Sequence, residues 1–203
     1  MKNKSVRNLT ISALLIGLGI LIPMVMPKIV IGPASFTLAS HVPVFIAMFF
    51  SPLVALAVVI GTTFGFFIST TPIIALRAFS HLIFALIGAN YLQRHPELVL
   101  KNGKFTLANG RFQVFNVVIG IIHAAAEMIV VSAFYFMGNM PDTFYSQGYL
   151  YTVFILMGIG GLVHSLVDFN IAYFVAGALY KQFNLPIFEK AVKHEKELHK
   201  VTA

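Results

Sequence analysis

The feature that most constrains this chain is a succession of apolar runs long enough to cross a bilayer, separated by short segments that hold nearly all of its Lys and Arg. A hydrocarbon core about 30 Å thick takes about 20 apolar residues in helical form, with a workable range of about 17 to 25. Leu9 to Met26, Ile73 to Leu92 and Gln113 to Met137 meet that requirement. The run from Tyr149 to Tyr180 exceeds it and reads as one tilted span whose start lies in the outer interface, where Tyr149 and Tyr151 are at home.

The region Leu38 to Ile68 is either one overlong helix or two short ones broken at Ser51-Pro52, because proline removes a backbone donor and clashes with the preceding turn. Charge decides between them. If the region crosses twice, one side of the membrane receives three clusters: Lys2, Lys4 and Arg7; Arg94, Lys101, Lys104 and Arg111; and Lys181, Lys190, Lys193, Lys196 and Lys200. Those are twelve of the fourteen Lys and Arg, as cytoplasmic loops require. Only Lys28 then faces outward, and Arg77 lies inside a span. A single crossing would put Arg94 to Arg111 outside. The expectation is an all-α integral membrane protein of six spans, about 9–26, 38–50, 53–68, 73–92, 113–137 and 149–180. A cytoplasmic loop over 93–112, with Asn102-Gly103 and Asn109-Gly110 as turn signals, joins its halves. The tail 181–203 is cytoplasmic, and its stretch from Glu189 to Lys200, where charge alternates at helical spacing, reads as a solvated helix end.

Composition agrees: 58% of residues are hydrophobic and 10% charged, against about 25% charged in a soluble domain. Over 203 residues no block differs in composition and no repeat recurs, so a single transmembrane domain is expected. The net charge of +7 orients spans here and gives no reason to invoke nucleic acid. There is no cysteine, which excludes disulfides, thiolate metal sites and cysteine nucleophiles. Met1 to Met26 imitates a secretory signal, but no small-x-small cleavage site follows and it reads as a retained first span.

Ionisable groups inside a bilayer cost about 2.5 to 3.5 kcal/mol each on insertion scales, so each must be paired or line a wet cavity. This chain has three i, i+4 pairs within spans, Arg77 with His81, His123 with Glu127, and His164 with Asp168, and each pair shares one helix face. Either they join helix to helix, or they converge on a solute. Arg77 points most strongly to a solute, since its planar fork matches a carboxylate in two-point contact; the alternative is an internal salt bridge to Glu127. Counting along the spans puts Arg77 and His81 in the outer half and Glu127 near the middle, so a site there would open outward. His164 and Asp168 lie deeper and read as packing or coupling residues.

The outer loop Lys28 to Thr37, with a Gly32-Pro33 turn, carries Ser35, Phe36 and Thr37 beside the membrane and is either a cover for the cavity or a plain connector. Ala13 and Gly17 form a small-xxx-small pair that permits close helix approach. There is no phosphate-binding G-x-x-x-x-G-K-[ST], no H-E-x-x-H, no G-x-S-x-G and no C-x-x-C. The H-x-x-x-E of His123 and Glu127 sets two donors on one face, but a metal would need more. No catalytic residue, metal or cofactor is expected.

Six short spans, the small-residue pair Ala13 and Gly17, the string FTLASHVPVFIAMFFSP at Phe36 to Pro52 followed by Gly61 and Gly65, and HSLVDF at His164 to Phe169 resemble the substrate-binding S component of energy-coupling factor transporters, bacterial vitamin importers. The resemblance covers nearly the whole chain. It implies high-affinity binding of a small vitamin at the bacterial cell membrane, docking on a T component through Ala13 and Gly17, and dependence on two partner ATPases, which fits the missing phosphate loop. The stretch KIVIGPASFTLASHVPVF is most similar to niacin members, with pantothenate next and hydroxymethylpyrimidine or pyridoxine behind. The candidate substrate-binding set is Arg77, His81, His123, Glu127, His41, Ser35, Phe36 and Thr37. Two other classes remain open: an autonomous proton-coupled carrier or channel, and an intramembrane enzyme using His123 and Glu127 as acid and base, for which no catalytic motif speaks.

Overall fold

The computed structural model describes residues 2–31 and 34–202, so the Gly32-Pro33 turn lies outside the described residues. Among the described residues, five helices are long and apolar enough to cross a membrane: α1 (Lys2–Val25), α3 (Pro52–Ser69), α4 (Pro72–Arg94), α5 (Gly110–Phe136), and a continuous rod formed by a π-helical stretch, Leu150–Gly160, running into α7 (Gly161–Phe183). Between α1 and α3 lie two antiparallel strands, β1 (Lys28–Ile31) and β2 (Ala34–Thr37), and the short helix α2 (Val42–Met48). A small helix α6 (Asp142–Ser146) precedes the π-helical stretch, and α8 (Pro186–Thr202) ends the described chain.

The helix boundaries follow from local chemistry. Pro52 and Pro72 open α3 and α4, where a missing N–H costs nothing, and Ser51 caps α3 by accepting a hydrogen bond from the Val54 amide at 3.1 Å. Asn109 caps α5 by accepting from the Phe112 amide, so Asn109-Gly110 is a helix start and not the turn its composition proposed. Asn102 and Gly103, both at positive φ, do form a tight turn, between Lys101 and Lys104. Asn184 in the left-handed region stops α7, and Pro186 begins α8.

The region expected to hold the second crossing is the largest departure. Its helix is only seven residues, about 10 Å long, and cannot span a bilayer by itself. Nor does it face lipid, since Phe45, Ala47, Met48 and Phe49 are fully buried. It still carries the chain across much of the bundle, from His41 beside His81 to Phe50, whose carbonyl accepts from Gln93 at the far end of α4. A side chain added at Gly61 would strike Ile16 and one at Gly65 would strike Ile20, so α3 runs parallel to α1.

One end of the bundle is sealed by stacked aromatics. Phe112 lies on Tyr173 with centroids 3.6 Å apart, and Phe45 on Phe169 at 4.3 Å. Tyr173 donates to the Val99 carbonyl at 3.0 Å, tying the 94–109 loop to α7. Ile187, Phe188 and Ala191 of α8 are buried, and Phe188 packs on Phe49 and Tyr180, while the other described side chains from Glu189 to Glu197 are exposed or half-buried, as a solvated helix end requires. Leu185 and those three residues recur at helical spacing, which turns an apolar stripe inward while Lys and Glu face out.

Gly65→Leu has no room and should lower stability by about 1 to 3 kcal/mol. Gly17→Leu points into open space among the described residues and should leave stability unchanged. Thermal unfolding of the two variants in detergent reads the difference.

Candidate functional site

At the end opposite the aromatic seal is a cavity of about 280 Å³. The ends of α1 and α3, the starts of α4 and α7, the middle of α5, the hairpin and the turn before α2 enclose it. All eight candidate residues line it: Arg77 and His81 from α4, His123 and Glu127 from α5, Ser35, Phe36 and Thr37 from β2, and His41 from the turn. Ala13 and Gly17 lie elsewhere, exposed on the outer face of α1. The hairpin therefore covers the cavity and is more than a connector. Phe36 reaches across to His164 and lies against Gly160, where any side chain would collide with its ring.

Glu127 is the hub of one wall. Arg77 donates from Nη2 at 2.9 Å, His81 Nε2 is hydrogen-bonded to the other carboxylate oxygen at 3.2 Å, and His123 Nε2 stands 3.8 Å from it. The internal salt bridge thus exists, yet it occupies only part of the arginine fork. Arg77 Nε is buried without a hydrogen-bond partner among the described residues. His123 is held at its other nitrogen, Nδ1, by Ser165 Oγ at 3.0 Å.

Asp168 is the hub of the other wall, fully buried. It accepts hydrogen bonds from the amides of Ala39 at 2.8 Å and His41 at 2.9 Å, and its Oδ2 is 3.1 Å from His41 Nδ1. Ala39 takes φ +66°, a left-handed conformation that costs an L-residue roughly 1 to 2 kcal/mol. The charge-assisted bonds to Asp168 compensate that cost and aim His41 into the cavity. The deeper placement expected for His164 is corrected: it lines the cavity, with Nε2 hydrogen-bonded to Ser40 Oγ at 3.0 Å. Asp168 does act as a positioning residue.

Three imidazoles, His41, His81 and His123, meet edge to face with centroids 4.6 to 4.9 Å apart. Beneath them Phe45, Phe84 and Phe169 are fully buried and close the floor. Sequence reasoning missed several lining residues: Lys28 at the rim, Ser40, Phe66, Ser69, Thr70 and Met157. Ser69 and Thr70 end α3 after an apolar run and read as ordinary stop residues, so only the fold turns them toward the cavity. An arginine with free donors, neutral-capable rings and an aromatic lid form a chemistry suited to holding a small planar acid.

No protein-family model matches the chain, and no solved structure matches it. A curated relative does: the niacin transporter NiaX of Lactococcus lactis subsp. cremoris (strain MG1363) is 50% identical over 192 residues, covering 94% of this chain and 82% of the relative. The chain belongs to the NiaX family of energy-coupling factor S components. It is a multi-pass membrane transport protein and not an enzyme.

Asp168→Asn keeps the shape and removes the charge that gathers the turn. The amides of Ala39 and His41 should then exchange with deuterium faster than in the parent, while amides in the Phe112 and Tyr173 seal stay protected; hydrogen exchange by mass spectrometry measures both.

Proposed function

We propose that the chain binds niacin, as the nicotinate anion, in the cavity between the hairpin and α5, and that this site opens to the cell exterior with both chain ends in the cytoplasm. The observation that carries the reading is Arg77: a cation in the cavity wall with only part of its fork engaged by Glu127. A carboxylate entering there takes the free donors, and the ring is left between Phe36 and the imidazoles. At about 280 Å³ the cavity is at the small end of ligand pockets, roughly 300 to 1,000 Å³, which suits a single-ring ligand. The name of the NiaX relative agrees with this choice.

Orientation rests on charge. Arg94, Lys101, Lys104, Arg111, Lys181 and Lys190 gather at the aromatic-sealed end, the side that positive residues mark as cytoplasmic. With its floor closed by packed phenyl rings, the chain captures solute and needs other subunits to release it inward. A T component and two ATPases supply that work in our reading. Ala13 and Gly17 offer the T component a smooth surface, exposed on α1 away from the α3 contact.

Two measurements test this. In calorimetric titration of the purified chain, nicotinate should bind and Arg77→Ala should weaken it by more than about 30-fold, the ratio expected when a desolvated charge pair loses about 2 kcal/mol or more. Nicotinamide, which lacks the charge, should be little affected by the same substitution; equal losses for both ligands would remove Arg77 from carboxylate recognition. Gly17→Leu combined with Ala13→Leu should leave nicotinate binding intact and prevent co-purification with the T component. Unchanged assembly would place the contact elsewhere.

A further inference from the structure

His41, His81, His123 and Glu127 come from three separate elements, yet one donor atom of each lies within 4.8 Å of every other. We propose that these four residues hold a divalent transition-metal ion of the zinc class at the cavity floor, facing the ring nitrogen of bound nicotinate. The second half of this statement rests on the niacin reading; the first does not.

Donor chemistry comes first. Three imidazoles and a carboxylate are the nitrogen and oxygen donors that Zn²⁺, Co²⁺ and Ni²⁺ accept. At bond lengths of about 2.0 to 2.1 Å, tetrahedral ligands are about 3.3 Å apart, so a spread of up to 4.8 Å closes by side-chain adjustments of about an ångström. The rings are already arranged for it, with mutual angles of 75 to 86°. Rings packed against one another for burial alone gain nothing from turning their nitrogens to a common point.

Outer partners are in place as well. Metal-bound histidines usually bond their second nitrogen to a carboxylate, carbonyl or hydroxyl that fixes the ring. His41 Nδ1 is held by Asp168, and His123 Nδ1 by Ser165 Oγ. Glu127 is held by Arg77. His123 Nε2, on a side chain 2% exposed, has no hydrogen-bond partner among the described residues and points into the cluster. An orphaned buried nitrogen forfeits its hydration without replacement, and a metal ion removes that cost.

Charge supplies an independent argument. With neutral histidines, Arg77 against Glu127 and Asp168 leaves the cavity wall at −1, and a nicotinate carboxylate would make it −2. A divalent cation brings the sum to zero in a medium where unbalanced charge is expensive. Lys28 at the rim is exposed to water and contributes little there. The ion also explains how Glu127 can share a cavity with an incoming acid.

The test uses the full chain, purified in detergent, stripped with chelator and titrated with Co²⁺. One equivalent should give the visible absorption bands of four- or five-coordinate cobalt, and Zn²⁺ should abolish them. Ser165→Ala should weaken Co²⁺ binding by about 10- to 100-fold through His123 alone, and His123→Asn by at least as much. Absence of the bands in the parent chain, or bands equally strong in both variants, overturns the site. Nicotinate should then shift the bands and benzoate, the same acid without the ring nitrogen, should not. Nicotinate that binds chelated and metal-loaded chain equally overturns the ligand contact. Cobalt bands without any nicotinate binding would instead refute the niacin reading and leave the metal site standing.

Discussion

Two carboxylates buried at the level of the lipid, Glu127 and Asp168, are the constraint on which the rest of this molecule turns. Neither can be left alone in a low-dielectric layer, and each collects partners from elements distant in sequence. Glu127 draws α4 onto α5 through Arg77 and His81. Asp168 draws the hairpin and its turn onto α7 through two amides and an imidazole. The cavity lies between these two gatherings, so the groups that settle the electrostatics also make the walls.

This produces a molecule with two unlike ends. At one, rings stack at van der Waals distance and α8 folds under the bundle. At the other, a two-stranded hairpin lies over the helix ends, and close packing yields to a cavity lined by ionisable and aromatic side chains. Stability and capture are thereby separated: the aromatic end can hold the bundle while the hairpin end exchanges a ligand. The π-helical stretch beside the hairpin fits that division, because such wide turns interrupt regular packing and recur where function needs room. Gly160 lies in it and leaves room for the tip of the Phe36 ring to approach the helix.

Much of the site was legible because helical periodicity places residues four apart on one face. Arg77 with His81 and His123 with Glu127 were recognisable as inward-facing pairs for that reason alone, and the cost of ionised groups in lipid made them candidates. The role of His164 was not legible. Its depth was counted along an ideal span, whereas a π-helical stretch and a hairpin that dips toward the bundle bring Ser40 and His41 down to meet it. The amides that Asp168 accepts are equally invisible in sequence, since backbone donors carry no residue signature. Helix α8 carries its dense charges from Glu189 on, and the apolar residues that anchor it, Ile187 and Phe188, precede them.

By itself the sequence determined the solvent, the long helices and the residues that could not face lipid, since hydropathy, charge clusters and i, i+4 spacing act locally along the chain. Only the tertiary structure decided that α2 is a buried half-length helix, that Glu127 is shared between an arginine and two histidines, and that three imidazoles from three elements point at one spot. Those are facts of convergence. They depend on the relative depth and rotation of packed helices, which long-range contacts set and no local pattern encodes.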